Sequence, residues 1–174
     1  LSDSKMYIDD SGNLSVADIR SRCRRQQTRY GLDLVVIDYL GLLQLGNKRG
    51  SLVADIAEAT RALKILAKEL QVPIMLLCQL SRGSESRKEN GYRPILADLR
   101  DSGAIEQDAD MVLLLYRKAL AMRNRKDDSE YGGAPAEEIE DNTAEVIVAK
   151  NRNGPLKTVN LAFQGMFSRF VNPS

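Results

Sequence analysis

The chain has 174 residues, of which 43% are hydrophobic and 28% charged, and this globular composition excludes a disordered or collagen-like chain. Lys and Arg number 25 against 24 Asp and Glu, so the net charge of +1 indicates neither a nucleic-acid nor a membrane partner, and any basic site must come from local clustering. Because the chain has no histidine, Ser-His-Asp catalysis, Cys-His catalysis and His-ligated metals are excluded, and the carboxylate, amide, Lys and Arg chemistry that remains suits phosphate substrates.

Two elements are predicted before residue 31. Met6–Ile8 is a short apolar piece that is typical of a strand. Ser15 has the position and chemistry of a helix N-cap, and Asp18 stands where a capping box has Glu or Gln. The apolar positions that follow predict a helix to about Tyr30.

Two apolar runs separated by a helix predict neighbouring strands of a parallel sheet. Leu34–Ile37 ends in Asp38, and Ile74–Cys78 follows a long helix that begins after Ser51 and ends before Pro73. Because neither run alternates with polar residues, we expect both strands to be buried on both faces.

The next part of the chain mixes a helical piece, a third apolar strand and two long polar segments. The helical piece is predicted around Ile95–Gln107 and the strand at Met111–Tyr116. The polar segments are Leu80–Arg93, whose length is typical of a functional or mobile loop, and Arg117–Asn142, interpreted as a solvated, flexible excursion.

The C-terminal tail alternates like antiparallel strands. These strands are Ala144–Ala149, Thr158–Phe163 and Phe167–Val171, with a tight turn at Asn151–Pro155 between the first two. The order of the elements therefore predicts an α/β fold whose sheet is parallel first and antiparallel at one edge.

Two polar side chains follow the predicted parallel strands. Asp38 follows the first strand and Gln79 the second, so we expect them beside each other at the carboxyl edge, where open α/β sheets bind ligands. A carboxylate at this edge can hold magnesium through water, and an amide can donate to a γ-phosphate. The alternative is that each residue merely ends its strand.

Two further groups of residues are candidates for binding phosphate. Lys150 and Arg152 lie on the predicted tight turn, from which a cation can neutralise a phosphate on a neighbouring subunit. Arg100, with the backbone amides near Gly103, can grip a phosphodiester. The alternatives are a hairpin turn and a capped surface helix, both with solvated charges.

Four strings, in this order, resemble those of one family. They are LVVIDYL at 34–40, QLSR at 79–82, RP at 93–94 leading into DLRDSGAIEQDAD at 98–110, and AKNRNGP at 149–155. Together they resemble the DnaB-type replicative helicases of bacteria, whose motor is a RecA-like P-loop ATPase that works in a ring of six. The resemblance covers nearly the whole chain except Arg117–Asn142, and it implies that residues 1–174 are the C-terminal part of such a motor domain.

The resemblance implies a nucleotide-binding role for four of the candidate residues, with ATP and Mg²⁺ as cofactors. Asp38 would be the Walker B acid that holds magnesium through water. Gln79 would be the sensor that links the nucleotide to DNA. Arg152, with Lys150 beside it, would reach the γ-phosphate on the adjacent subunit.

The resemblance implies a DNA-binding role for the central string. Arg100, Asp101 and Gly103 would hold the backbone of single-stranded DNA in the central channel of the ring. The family usually has Glu where this chain has Asp101, whose side chain is one methylene shorter.

Two features of the family are missing from the chain. No Gly-x-x-x-x-Gly-Lys-Thr string occurs, and the family's catalytic glutamate is missing too, so we expect both upstream of Leu1. The resemblance therefore implies an ATP-dependent DNA helicase of which this piece, lacking the loop that cradles phosphates, is inactive alone.

The partners implied by the resemblance are single-stranded DNA, further copies of the chain in a homohexamer, primase, a helicase loader and clamp-loader components. We expect no membrane partner, and we expect a location in the bacterial cytoplasm, associated with the nucleoid. Two other functions stay open: a RecA-like DNA-binding ATPase of recombination or repair, and a non-enzymatic DNA-binding or oligomerisation module.

Overall fold

The computed structural model describes residues 5–45, 51–81, 92–99, 103–123 and 142–173. It has the predicted mixed α/β architecture, with parallel and antiparallel strand pairing. The chain divides into two compact units, Leu1–Gln79 and Leu80–Ser174, each with its own sheet. Across the described ranges, no helix is both long enough and apolar enough to cross a membrane.

The first helix, α1 (Val16–Tyr30), begins at the predicted capping box. The Ser15 hydroxyl accepts from the backbone N–H of Asp18 at 3.2 Å, and the Asp18 carboxylate accepts from the backbone N–H of Ser15 at 3.0 Å. Gly31 follows the helix with φ of 83°, a conformation that costs glycine little and that ends the helix. Both predicted ends of α1 are therefore confirmed.

The first unit contains the predicted parallel strand pair, joined by a long helix: β1 (Val35–Ile37), α2 (Leu52–Leu70) and β2 (Ile74–Leu76). The last paired residues of the two strands are Ile37 and Leu76. Ser51 precedes α2 as predicted, although its side chain makes no capping hydrogen bond.

One face of this strand pair packs against the two helices. The buried side chains of the resulting core are Ile19, Ile37, Leu63, Leu66, Leu70 and Val72. The opposite face is open, since Val36 is 55% and Met75 49% exposed. The prediction that both strands are buried on both faces is therefore wrong for the described part of the chain, because the helices of the first unit cover only one side.

The second unit is built on an antiparallel sheet of four strands. Its helices and strands in chain order are α3 (Gly103–Asp108), β3 (Met111–Tyr116), α4 (Lys118–Arg123), β4 (Thr143–Asn151), β5 (Lys157–Gln164) and β6 (Arg169–Val171). The strand order is β3-β4-β5-β6, so the predicted antiparallel tail is confirmed. The order of elements predicts one continuous sheet, but the described strands form two, β1-β2 and β3-β4-β5-β6.

Three local predictions differ from the structure. Met6–Ile8 forms no strand, and its three side chains are exposed without a neighbouring strand to pair with. The piece predicted around Ile95–Gln107 consists of a 3-10 turn at Leu96–Asp98 followed by α3. The start of the predicted excursion Arg117–Asn142 is helical as α4, whose Ala, Leu and Met residues favour a helix. Residues 82–91 and 124–141, from the two predicted polar segments, lie outside the described residues.

Truncation of Leu66, which is 2% exposed on α2, should weaken the core that supports β1. We expect Leu66→Ala to lower the free energy of unfolding by about 2–5 kcal/mol, because it leaves a cavity among packed side chains. Ile65 is 56% exposed, so Ile65→Ala should lower it by less than about 1 kcal/mol. Urea unfolding of the chain, followed by circular dichroism, measures both free energies. Equal losses of stability in the two variants would contradict the placement of Leu66 in the core.

Candidate nucleotide and nucleic-acid site

Asp38 and Gln79 lie at the same edge of the first unit. Asp38 directly follows β1, and Gln79 lies three residues beyond β2. Past the last strand pair the two segments stay joined, since the Leu77 N–H donates to the Ile37 carbonyl and the Leu40 N–H donates to the Leu77 carbonyl, both at 2.9 Å. The parallel pairing thus brings both polar residues to the carboxyl edge, as expected from the sequence, and both are exposed.

This edge suits a magnesium ion held through water. In the ranges that the structure describes, no group of three or more acidic, Cys or His side chains could hold a metal ion directly. Asp38, joined to Tyr39 by a cis peptide bond, offers a single exposed carboxylate. Mg²⁺ normally keeps several waters and takes one or two carboxylates together with substrate phosphates, so one carboxylate here fits such an ion.

The cysteine beside Gln79 does not add a nucleophile. Burial raises the pKa of the Cys78 thiol, so the neutral form, which is a poor nucleophile, dominates at neutral pH. Burial also raises the pKa of Cys23 on α1. The edge therefore offers carboxylate and amide chemistry.

The end of β4 and the turn that follows it present two cations, Lys150 and Arg152, and both are anchored. The Lys150 ammonium donates to the backbone carbonyl of Glu106 and, at 3.5 Å, to that of Gln107 at the end of α3. The Arg152 guanidinium donates to the Gln107 carbonyl and, at 3.3 Å, to the Asp110 carboxylate. The Arg152 side chain is still 47% exposed, so the cation is fixed in position and accessible to a ligand.

A β-bulge in β4 lies directly before Lys150. Val112 of β3 pairs with Lys150, but the next residue, Leu113, pairs with Val148, which leaves Ala149 as the extra residue. A bulge bends its strand and re-aims the neighbouring side chain, and bulges are frequent beside functional sites. Sequence reasoning missed this feature, because the bulge depends on the register of β4 against β3.

The segment assigned to DNA is described on both flanks. Arg100 and Asp101 lie outside the described residues. Before them, Asp98 is 2% exposed, and its carboxylate accepts from the Ile95 N–H at 2.8 Å. After them, Gly103 begins α3 and is exposed. The two flanks are therefore ordered structures, a 3-10 turn and a short helix.

Arg93 makes contacts that the sequence did not reveal. Its guanidinium lies 2.6 Å from the Glu145 carboxylate and donates to the Thr158 hydroxyl at 3.0 Å. These partners belong to β4 and β5 and are 52 and 65 residues away in sequence, too far for a local pattern to indicate them. Arg93 thus connects the segment that leads to Asp98 with the antiparallel sheet.

The fold is that of a RecA-like ATPase domain, as similar solved structures show. One, the structure of an ATPase domain, matches with a TM-score of 0.81 and 39% identity, over 99% of this chain and 56% of that chain. Another, of a DnaB-like replicative helicase and its interactions with primase, matches with a TM-score of 0.80 and 39% identity, over 99% of this chain and 39% of that chain.

The chain belongs to the family of DnaB-like helicase C-terminal domains, whose model matches residues 1–172. Among curated relatives, the replicative DNA helicase DnaB of Leifsonia xyli is 48% identical over 99% of this chain and 34% of its own length. The replicative DNA helicase DnaC of Bacillus subtilis is 44% identical over 99% of this chain and 35% of its own length. The chain thus spans about a third of the length of these relatives, and the resemblance drawn from the four strings is confirmed.

Removal of the Asp98 carboxylate should destabilise the flank of the segment that is expected from the sequence to bind DNA. We expect Asp98→Ala to lower the free energy of unfolding by about 1–3 kcal/mol, because the partly buried Ile95 N–H loses its acceptor. Asp98→Asn keeps an oxygen acceptor and should cost less. Asp33→Ala, at an exposed carboxylate, is the control and should change stability by less than about 0.5 kcal/mol. Urea unfolding compares the three; a loss in the control as large as in Asp98→Ala would refute the anchoring role.

Proposed function

We propose that the chain is the C-terminal part of the motor of a bacterial replicative helicase, a hexameric ATPase that translocates on single-stranded DNA and unwinds the duplex at the replication fork. Family membership over residues 1–172 carries the proposal. The charge balance agrees with it. Since the net charge is only +1, DNA binding must depend on a few placed groups that are repeated around a ring.

Asp38 and Gln79 form the part of the nucleotide site that this chain supplies. Asp38 holds the Mg²⁺ of Mg-ATP through water, and Gln79 at the same edge interacts with the γ-phosphate and signals its presence. No P-loop string occurs in the chain, so the 174 residues alone do not turn over ATP. The phosphate-cradling loop belongs to another part of the longer helicase.

Arg152 acts on the ATP of the neighbouring subunit, with Lys150 as the second cation. Arg152 is exposed on a turn that Gln107 and Asp110 hold in place. A guanidinium has five N–H donors, so it can keep these contacts and still offer donors to a phosphate. A cation placed in this way stabilises the charge that develops on the transferred phosphoryl group.

Arg100, Asp101 and Gly103 hold the backbone of single-stranded DNA in the central channel. Arg100 pairs with a phosphate, and the backbone amides near Gly103 add hydrogen bonds. Contacts to phosphates fix the position of the strand and carry no base information, so affinity depends on salt and hardly on sequence.

The partners proposed for the whole helicase follow from the same family. Further copies of the chain complete the ring. Primase is a proposed partner because a similar solved structure concerns a DnaB-like helicase and its interactions with primase. A helicase loader and clamp-loader components are proposed likewise, and the protein acts in the bacterial cytoplasm at the nucleoid.

Arg152→Ala in the full-length helicase should abolish most ATP hydrolysis. We expect kcat to fall about 10³-fold or more with a much smaller change in ATP affinity, because the cation acts on the transition state of a neighbour. Steady-state ATPase assays and nucleotide titrations measure the two effects. Lys157→Ala, which removes an exposed cation at the start of β5, is the matched control and should change neither.

Mixed rings test whether Arg152 acts in trans. Subunits carrying Arg152→Ala and subunits carrying Asp38→Asn should regain activity when mixed, because an intact half-site from each can meet at one interface. If the mixed rings are as inactive as either parent ring, an action of Arg152 on the neighbouring subunit is refuted.

Arg100→Ala in the assembled helicase should weaken binding of single strands of every sequence. We expect the slope of log affinity against log salt to fall by about 0.7 for each phosphate that Arg100 no longer neutralises. Fluorescence anisotropy on poly-dT and on a mixed-sequence strand across a salt series measures this, with Arg25→Ala, an exposed arginine on α1, as control. Unchanged affinity, or a strong sequence preference, would place the DNA contacts elsewhere.

A further inference from the structure

The C-terminal end of α3 holds two cations, Lys150 at the end of β4 and Arg152 in the turn between β4 and β5. Lys150 donates to the carbonyls of Glu106 and Gln107, and Arg152 donates to that of Gln107. The last carbonyls of a helix have no intrahelical partner and lie at the negative end of its dipole, so they are natural acceptors for cations. The helix that supplies them begins at Gly103, in the string proposed to bind DNA.

Asp110 gives Arg152 a second and directional anchor. The Arg152 backbone N–H donates to the Asp110 carbonyl at 2.9 Å, and the guanidinium donates to the Asp110 carboxylate at 3.3 Å. Asp110 therefore holds both the backbone and the guanidinium of Arg152. Of these acceptors, the Asp110 carboxylate is the one that a substitution can remove, since the others are backbone carbonyls.

Because α3 is short, a displacement of its first residue should move the whole helix as one rigid unit. Its six residues span about 9 Å at 1.5 Å per residue. A shift of the segment at Gly103 would move the carbonyls of Glu106 and Gln107, and the cations bound to them would move too. The contacts thus connect the segment at Gly103, which is proposed to bind DNA, with Lys150 and Arg152, which are proposed to reach a phosphate.

We propose that Asp110 is a positioning residue that holds Arg152 on the end of α3 and thereby makes ATP hydrolysis respond to bound DNA. The inference rests on the proposed function, because it needs DNA at the Arg100–Gly103 segment and ATP opposite Arg152. Asp110 touches neither ligand. It acts through the orientation of the guanidinium, for which a small misplacement is enough to reduce turnover substantially.

Asp110→Ala in the full-length helicase tests this proposal. We expect kcat measured with saturating poly-dT to fall about tenfold, while KM for ATP and the affinity for poly-dT stay within about twofold. Asp110→Glu keeps a carboxylate and should recover most of the loss. Asp33→Asn, which removes an exposed carboxylate of the first unit, should match the unsubstituted protein in all three quantities.

Mixed rings provide a readout that a merely structural role would not change. Asp110→Ala and Arg152→Ala impair the same half-site, so a mixture of these two should not exceed the activity of rings made of Asp110→Ala alone. A mixture of Asp110→Ala with Asp38→Asn should regain activity. If Asp110→Ala does not assemble into rings by gel filtration, Asp110→Asn, which keeps the shape and loses the charge, takes its place in the same assays.

The outcomes separate this inference from the proposed function. If the unsubstituted helicase shows ATPase activity stimulated by poly-dT and Arg152→Ala abolishes it, but Asp110→Ala keeps full stimulation, the role of Asp110 is refuted and the proposed function stands. If the mixture of Asp110→Ala with Arg152→Ala is more active than rings made of Asp110→Ala alone, Asp110 does not act through Arg152. If the unsubstituted helicase shows no stimulation by DNA, the proposed function fails and this inference fails with it.

Discussion

The parallel pairing of β1 with β2 is the constraint on which the proposed nucleotide site depends. Each strand has only three residues, so the pair needs the helices that cover one of its faces. Hydrogen bonds at Leu77 continue the pairing past the strand ends, to the place where Asp38 and Gln79 follow. The core thus fixes the backbone at this edge, and both polar side chains stay exposed there because packing does not require them.

The two cations at the end of β4 and in the turn after it are subject to a different constraint. Lys150 and Arg152 are close in sequence and carry the same charge, so they need acceptors to stay near each other. Carbonyls at the end of a helix and one exposed carboxylate supply them, and such surface contacts each contribute only about 0–1 kcal/mol. An anchor of this strength orients a cation and still lets it turn toward a phosphate at small cost.

Much of the fold could be predicted because its signals are local. Ser15 and Asp18 mark the start of α1 by the chemistry of the cap itself, and Asp38 and Gln79 follow apolar runs that predict neighbouring strands. The bulge at Ala149 could not be predicted, since it depends on the register against β3. Long-range partners were missed for the same reason. The contacts of Arg93 with Glu145, and of Lys150 and Arg152 with the end of α3, join residues more than forty positions apart.

The wrong prediction of two-sided burial follows from the environment of the strands. The apolar runs of β1 and β2 encode strands without an exposed face, yet Val36 and Met75, which are paired in register, are 55% and 49% exposed. Apolar side chains grouped in this way mark surfaces that other protein covers. The family relatives are about three times as long as the matched chain. The exposed apolar face thus agrees with the proposal that the chain is one part of a larger motor.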